Sequence, residues 1–179
     1  MDRYIAFLRG MNLGGRRITN EDLRSHFEAL GCAEVATFRA SGNVIFASEG
    51  ESEAKLGKRL EAWLGERLGY AVPVFLRSAA ELRAIAAHEP FAAKHVAASK
   101  GKLQIALLGK KPTTAAGKEA LALSTDEDRL AIEGRELYWL PDGGLSESEL
   151  DLEALAVILG PTTIRTKGTI DQIAAKYLG

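Results

Sequence analysis

EVATFRASGNVIFAS, residues 34–48, decides the fold. Two runs rich in Val, Thr, Phe and Ile flank Ser41-Gly42, a dipeptide that turns a chain back on itself, so the stretch reads as a β-hairpin. Upstream, RYIAFLR at 3–9 is a short apolar strand running into a glycine- and asparagine-rich loop, GMNLGGRRIT at 10–19. Asn20 then stands as a helix N-cap, with Glu21 and Asp22 in the first turn. Leu23, Phe27 and Leu30 repeat at helical spacing up to Gly31. Downstream, Leu56, Leu60, Trp63, Leu64 and Leu68 mark a helix over 51–68 with one apolar face. AVPVFLR at 71–77 is a strand whose Pro73 suits a sheet edge. The order is βαββαβ, the split-βαβ or ferredoxin-like pattern.

The capping box Ser78-x-x-Glu81 opens a bridging helix with Leu82 and Ile85 inward, and a polar, alanine-rich connection covers 88–101. The second half repeats the order of elements. KLQIALLGK at 102–110 is a strand, Pro112-Thr113 opens a helix to about 124, and 128–133 pairs with 136–141 across Gly134-Arg135. A second box, Ser146-x-x-Glu149, is expected to open a helix with Leu152, Leu155, Ala156 and Leu159 inward, stopped by Gly160-Pro161. Thr162 to Thr166 is a strand, and a last helix carries Ile170, Ile173, Ala174 and Tyr177. The expected fold class is α+β: two split-βαβ (ferredoxin-like) halves packed together, plus a C-terminal helix. The N-terminal half with its bridging helix is set at 1–98, the C-terminal half with the terminal helix at 99–179.

Half-exposed strands alternate apolar and polar residues, and these do not. Ile5/Phe7 and Ala6/Leu8 are apolar on both faces, as are Val44/Phe46 with Ile45/Ala47, and Leu103/Ile105/Leu107 with Ala106/Leu108. Both faces of each sheet are therefore expected to be covered. Helices account for one face; the opposite half of the chain, or a homodimer partner, accounts for the other.

Composition closes several doors. Of 179 residues, 46% are hydrophobic, enough for a core without disulfide or metal staples. The 23 basic and 24 acidic residues leave a net charge of −1, so no global field draws nucleic acid or an anionic membrane, and any anion site must be local. One cysteine, Cys32, forms no internal disulfide, and neither a signal-peptide pattern nor a membrane-length apolar run is present, which reads as cytoplasmic.

The topology supplies the best functional cluster. In a βαββαβ unit the first two strands are parallel, with the third antiparallel between them. The end of strand one and the strand two–three hairpin then share a rim. That gathers Arg9, Gly10, Asn12, Gly14, Gly15 and Arg16 beside Arg39, Ser41 and Asn43. Glycine turns with open backbone N–H groups, Asn amides and guanidiniums suit a carboxylate or phosphate. The same glycines and the Ser-Gly-Asn turn also serve plain turn geometry. A second basic stretch, with Arg165, Lys167 and Thr169, offers a weaker anion seat if Gly168 or Thr169 caps the last helix.

Other chemistries fall away. His26, His88 and His95 show no ligand spacing and a single Cys makes no zinc pattern, so no metal is expected. His26, between Leu23 and Phe27, reads as a partly buried core imidazole, Cys32 as a small buried residue, and Trp63 and Trp139 as core. The acidic clusters at Glu51/Glu53, Asp126 to Asp128 and Glu147/Glu149 read as helix starts or solvated turns. The RNA-binding version of this sheet needs stacked aromatics, and ASGNVIFAS offers only Phe46.

YIAFLRGMNLGG (4–15), EDLRSHFEALG (21–31), SGNVIF (41–46) and TTIRTKGTIDQIAAKYL (162–178) resemble the bacterial family known as domain of unknown function 1697. Arg-Gly-x-Asn-x-Gly-Gly and Ser-Gly-Asn are its most specific marks. The resemblance implies a two-part α+β protein with a ferredoxin-like element, and brings no catalytic residue; the cofactor, if any, is unknown. Where many members carry Arg-Asn-Trp-x-Thr, this chain has Arg165-Thr166-Lys167-Gly168-Thr169. The function expected is binding of a small anionic ligand at the rim, with catalysis left open. A protein-interaction module or homo-oligomer without a small-molecule site is the alternative, and nucleic-acid binding a third.

Overall fold

The strands on either side of the Ser41-Gly42 dipeptide pair with each other, as the hairpin reading predicts. The computed structural model describes residues 1–40 and 42–179. Strand β2 (Ala33–Thr37) and strand β3 (Asn43–Ser48) pair antiparallel, and β3 lies along β1 (Asp2–Leu8), with Phe7 opposite Asn43 and Tyr4 opposite Phe46. The other side of β1 takes β4 (Val74–Ser78), so the sheet order is β2-β3-β1-β4, antiparallel throughout. β4 is an edge strand, and Pro73 sits just before it.

Helix α1 (Asn20–Ala29) turns Leu23 and Phe27 inward, and α2 (Glu53–Leu68) turns Leu56, Leu60 and Leu64 inward, one residue per helical turn. These pack on Tyr4, Ala6, Leu8, Val44 and Phe46, with Phe27 edge-on to Phe46 at 5.3 Å. On the opposite face Ile5, Phe7, Ile45 and Phe75 are buried too. The doubly apolar strands are thus doubly buried.

The cap of α1 is Thr19 rather than Asn20. Thr19 keeps extended backbone angles, and its hydroxyl accepts from the Asp22 N–H at 3.0 Å. The predicted box at Ser78 forms in full: Glu81 N–H donates to Ser78 Oγ, and Ser78 N–H donates to the Glu81 carboxylate. It opens α3 (Ala79–Ala87), where Leu82 and Ile85 are buried.

The connection after α3 contains a short helix that composition did not announce, α4 (Ala93–Ala98). Strands β5 (Gln104–Leu108), β6 (Asp128–Glu133), β7 (Glu136–Pro141) and β8 (Thr162–Thr166) then build a second sheet in the order β6-β7-β5-β8. With α5 (Thr114–Leu121) and α6 (Leu152–Leu159) the βαββαβ order is repeated in full. α6 is not opened by Ser146-x-x-Glu149. Leu145–Glu147 is a single 3₁₀ turn, and Asp151 caps α6 by accepting from Ala154 N–H at 2.9 Å. Leu155 and Leu159 therefore face inward, and Leu152, at the first helical position, stays 45% exposed.

Helix α7 (Lys167–Tyr177) follows β8 as α3 follows β4, and the two segments match residue by residue. Ser78 and Thr166 both accept from the N–H three residues on, at 3.2 Å, and Leu82/Ile85 align with the buried Ile170/Ile173. The cap of α7 is accordingly Thr166, and neither Gly168 nor Thr169. The sequence reading sets its halves at 1–98 and 99–179. By contacts, Met1–Ala84 with Ile173–Gly179 form one compact unit (unit 1), and Ile85–Gln172 form another (unit 2).

Candidate functional site

The register of unit 1 puts three connections at one end of its sheet. β1 finishes at Leu8, β3 starts at Asn43 opposite Phe7, and β4 starts at Val74 opposite Leu8. The β1–α1 loop, the β2–β3 turn and the α2–β4 connection therefore leave from the same rim. Leu8 N–H donates to the Gly42 carbonyl at 2.8 Å, and Arg9 N–H donates to the Pro73 carbonyl at 3.1 Å.

Two contacts lock the first two loops together. The Asn12 amide donates to the Ala40 carbonyl across 28 residues of chain. Gly42 lies so close to Met11 and Leu8 that a Cβ there would meet Met11 Cγ at 2.8 Å. Asn43, fully buried, donates from Nδ2 to the Phe38 carbonyl at 2.9 Å, while Phe38 N–H donates to the Asn43 carbonyl. Asn12 and Asn43 thus both act on the backbone of the turn; one joins the loops and the other shapes the hairpin. Ser41 lies outside the described residues.

Gly10, Gly14 and Gly15 all take positive φ, as the loop requires. Arg39 does so as well, at φ 60, although it is not glycine. A non-glycine residue held there costs about 1–2 kcal/mol, a strain that loops carrying function tend to keep. Arg9, Arg16 and Arg39 are all exposed, and the Arg9 side chain is in no ion pair among the described residues. No acidic residue occurs between Arg9 and Asn20, or between Val35 and Ser48. The two loops carry no carboxylate, and the acidic group the structure puts at this end of the sheet is Glu61 of α2, which accepts from the Val74 N–H at 3.0 Å at the start of β4.

Tyr70, in the α2–β4 connection, belongs to the rim and was not visible from sequence. The Arg16 guanidinium stacks over its ring at 4.0 Å, which holds a long cationic side chain in place through its face rather than through a carboxylate. Tyr177 is a second addition: its ring lies edge-on to Phe38 at 6.3 Å.

The second basic stretch is differently built. Arg165 is buried on β8 and donates from Nη1 to Thr163 Oγ1 at 2.7 Å and to the Ile164 carbonyl, and burial lowers its pKa to about 10. Lys167 donates to the Ala86 carbonyl at 2.8 Å and pairs with Asp171. The Thr169 hydroxyl lies 3.0 Å from that of Thr166. Lys167 and Thr169 make their bonds at the start of α7, whereas these two bonds of Arg165 stay within β8.

Among the described residues no cluster of three or more His, Cys, Asp or Glu could hold a metal ion. His26 is half-buried, and its carbonyl accepts from the Trp63 indole at 2.9 Å. Asp128 overturns its reading as a solvated turn residue: it is 1% exposed, and its carboxylate accepts from Trp139, Ser148 and Thr125. Cys32 is buried as expected, and burial pushes its thiol up to about 11. Since this folded pKa lies above the unfolded one, the thiol's contribution is complete below pH 9 and falls away as pH rises toward 11. Ellman's reagent at pH 8 is expected to leave native Cys32 unlabelled and to react promptly once urea unfolds the chain; equal rates in the two states would refute its burial.

A family model described as "Protein of unknown function (DUF1697)" matches residues 1–138. Among solved structures, the conserved bacterial protein SP0830 from Streptococcus pneumoniae is similar in fold, with a TM-score of 0.74 at 22% sequence identity. The match covers 100% of this chain and 99% of that one. None of the curated proteins matches. No helix among the described residues is long and apolar enough to cross a membrane.

Proposed function

The chain belongs to the DUF1697 family, whose proteins have no known function, and from that premise we propose, on the geometry of the rim, that unit 1 binds a small anionic ligand between the β1–α1 loop and the β2–β3 turn. One observation carries the reading. The two loops are pinned to each other by Asn12 and by the close approach of Gly42, while Arg9 and Arg16 stand exposed in a loop that contains no acidic residue and Arg39 stands exposed beside the turn. Turn chemistry alone needs the glycines but gives no reason to place Arg9 and Arg16 in the same exposed loop.

In this reading Arg9 supplies charge to the ligand and Arg16 a guanidinium held by Tyr70. Asn12 keeps the loops at a fixed separation, and Gly14 and Gly15 leave backbone N–H groups open to approach. It assigns no reaction. The compartment that fits a lone thiol is the cytoplasm.

Titration with inorganic pyrophosphate and, separately, citrate at low ionic strength, followed by amide NMR shifts, tests it. Shifts are expected to concentrate on 9–16 and 38–43. Arg9→Ala is expected to weaken binding by about 10–100-fold, the worth of one charge-assisted hydrogen bond, with little change in melting temperature. Asn12→Ala is expected to abolish binding at similar stability. Shifts scattered over all surface arginines, or an Asn12→Ala protein that simply unfolds, would leave the rim a structural turn. The competing interaction-module reading draws on Leu13, 67% exposed in the β1–α1 loop. Light scattering that shows a dimer dissociated by Leu13→Asp would favour it.

A further inference from the structure

Unit 2 contains a cavity of about 410 Å³ that the rim reading does not use. Its origin is local. The segment 88–98 is fixed at both ends: at its start the His88 ring packs on the buried Tyr138 ring at 5.0 Å, and after its end Lys100 N–H donates to the Asp142 carbonyl at 2.7 Å. Between them lies α4, a helix with no buried residue, whose alanines are too short to fill the space beneath it. The volume left over is walled by Phe91, Val96 and Leu103, with His88, Glu89 and Lys167 as its polar groups. That size and that mixture, mostly apolar with a few polar groups, are what small-molecule sites have.

The polar groups select the ligand. The Lys167 ammonium has three N–H donors. One goes to the Ala86 carbonyl at 2.8 Å and one to Asp171 Oδ1 at 2.5 Å, so its position is set and, among the described residues, one donor is left over. Its charge is already balanced by Asp171, and Glu89 adds a second carboxylate. An anionic ligand would meet two negative charges against one positive, whereas an uncharged oxygen accepts the remaining N–H without that repulsion. We infer that this cavity binds a small uncharged molecule with an apolar body and one carbonyl or hydroxyl oxygen, which accepts a hydrogen bond from Lys167. The site is independent of the anion reading, which concerns unit 1 alone.

Three probes of one shape test this on the full chain by NMR titration: 2-acetylnaphthalene, naphthalene and 2-naphthoate. The ketone is expected to bind most tightly, with naphthalene weaker by about tenfold, the worth of one hydrogen bond, and naphthoate weaker by about tenfold because its charge faces Asp171 and Glu89. Val96→Trp, at a position 44% exposed with no side-chain hydrogen bond, is expected to keep the fold, as read by circular dichroism, and to lose ketone binding by filling the cavity. Four results would overturn the assignment: no binding of any probe up to its solubility, equal affinities for all three, tightest binding of the naphthoate, or binding that Val96→Trp leaves intact.

Discussion

Asp128→Ala is expected to destabilise unit 2 by about 3–5 kcal/mol, the cost of stripping a buried carboxylate from the donors built around it. Asp128 opens β6 opposite Pro141 and is 1% exposed. Its Oδ1 accepts from Trp139 Nε1 at 2.7 Å and from Ser148 Oγ at 2.8 Å, and its Oδ2 accepts from Thr125 Oγ1 at 3.0 Å. Three segments that meet nowhere else in sequence are tied to one side chain: the approach to β6, the middle of β7, and the stretch before α6. Alanine leaves a buried indole N–H and two hydroxyls to find other partners. Asparagine is the telling control. Its oxygen can take the place of Oδ1 for Trp139 and Ser148, and its amide can donate to the Thr125 hydroxyl, so Asp128→Asn is expected to cost only about 1 kcal/mol. Urea unfolding followed by tryptophan fluorescence gives both numbers. Equal losses for the two variants would mean that the charge, and not the bonding pattern, is what unit 2 requires.

Asp128 also marks where sequence reading runs out. Ser124-Thr-Asp-Glu-Asp128 has the composition of a solvated turn, and nothing in it says that the last carboxylate points inward at a tryptophan eleven residues on. Strand order, by contrast, was legible, because apolar residues on both faces and turn dipeptides at 41–42 and 134–135 leave few alternatives to βαββαβ twice over. The rim followed from that order without any side-chain detail, since antiparallel pairing of β1 with β3 forces Phe7 beside Asn43. Helix starts were legible only to within a few residues. Thr19 and Asn20 are both good caps, as are Thr166 and Thr169, and the choice goes to whichever residue keeps extended backbone as the helix begins. Tyr70 and α4 left no signal at all: one is an aromatic in a connection, the other an alanine run without an apolar stripe.

Gly42→Ala is expected to cost about 2–4 kcal/mol and to part the two loops of the rim. Two penalties add. At φ 76 an L residue pays about 1 kcal/mol for its backbone alone. The new Cβ would also meet Met11 Cγ at 2.8 Å and Leu8 Cβ at 3.0 Å, and forcing a methyl into packed surroundings costs a further 1–3 kcal/mol or so. Gly14→Ala separates the two contributions. Gly14 has φ 61 but nothing within 4 Å of its Cβ position, so its loss is expected to stop near 1 kcal/mol. Met11 is the softer neighbour, and Met11→Ala combined with Gly42→Ala is expected to be less damaging than the sum of the single changes by about 1 kcal/mol. Denaturant midpoints for the parent, the two single variants and the double decide this, and additive losses would show that Met11 is not the neighbour that resists the new Cβ. Relief of the clash need not restore the rim, because it is the approach of Gly42 to Leu8 and Met11 that brings Ala40 within reach of Asn12. The double variant is therefore expected to lose less stability than the two single losses together and still to bind pyrophosphate more weakly than the parent.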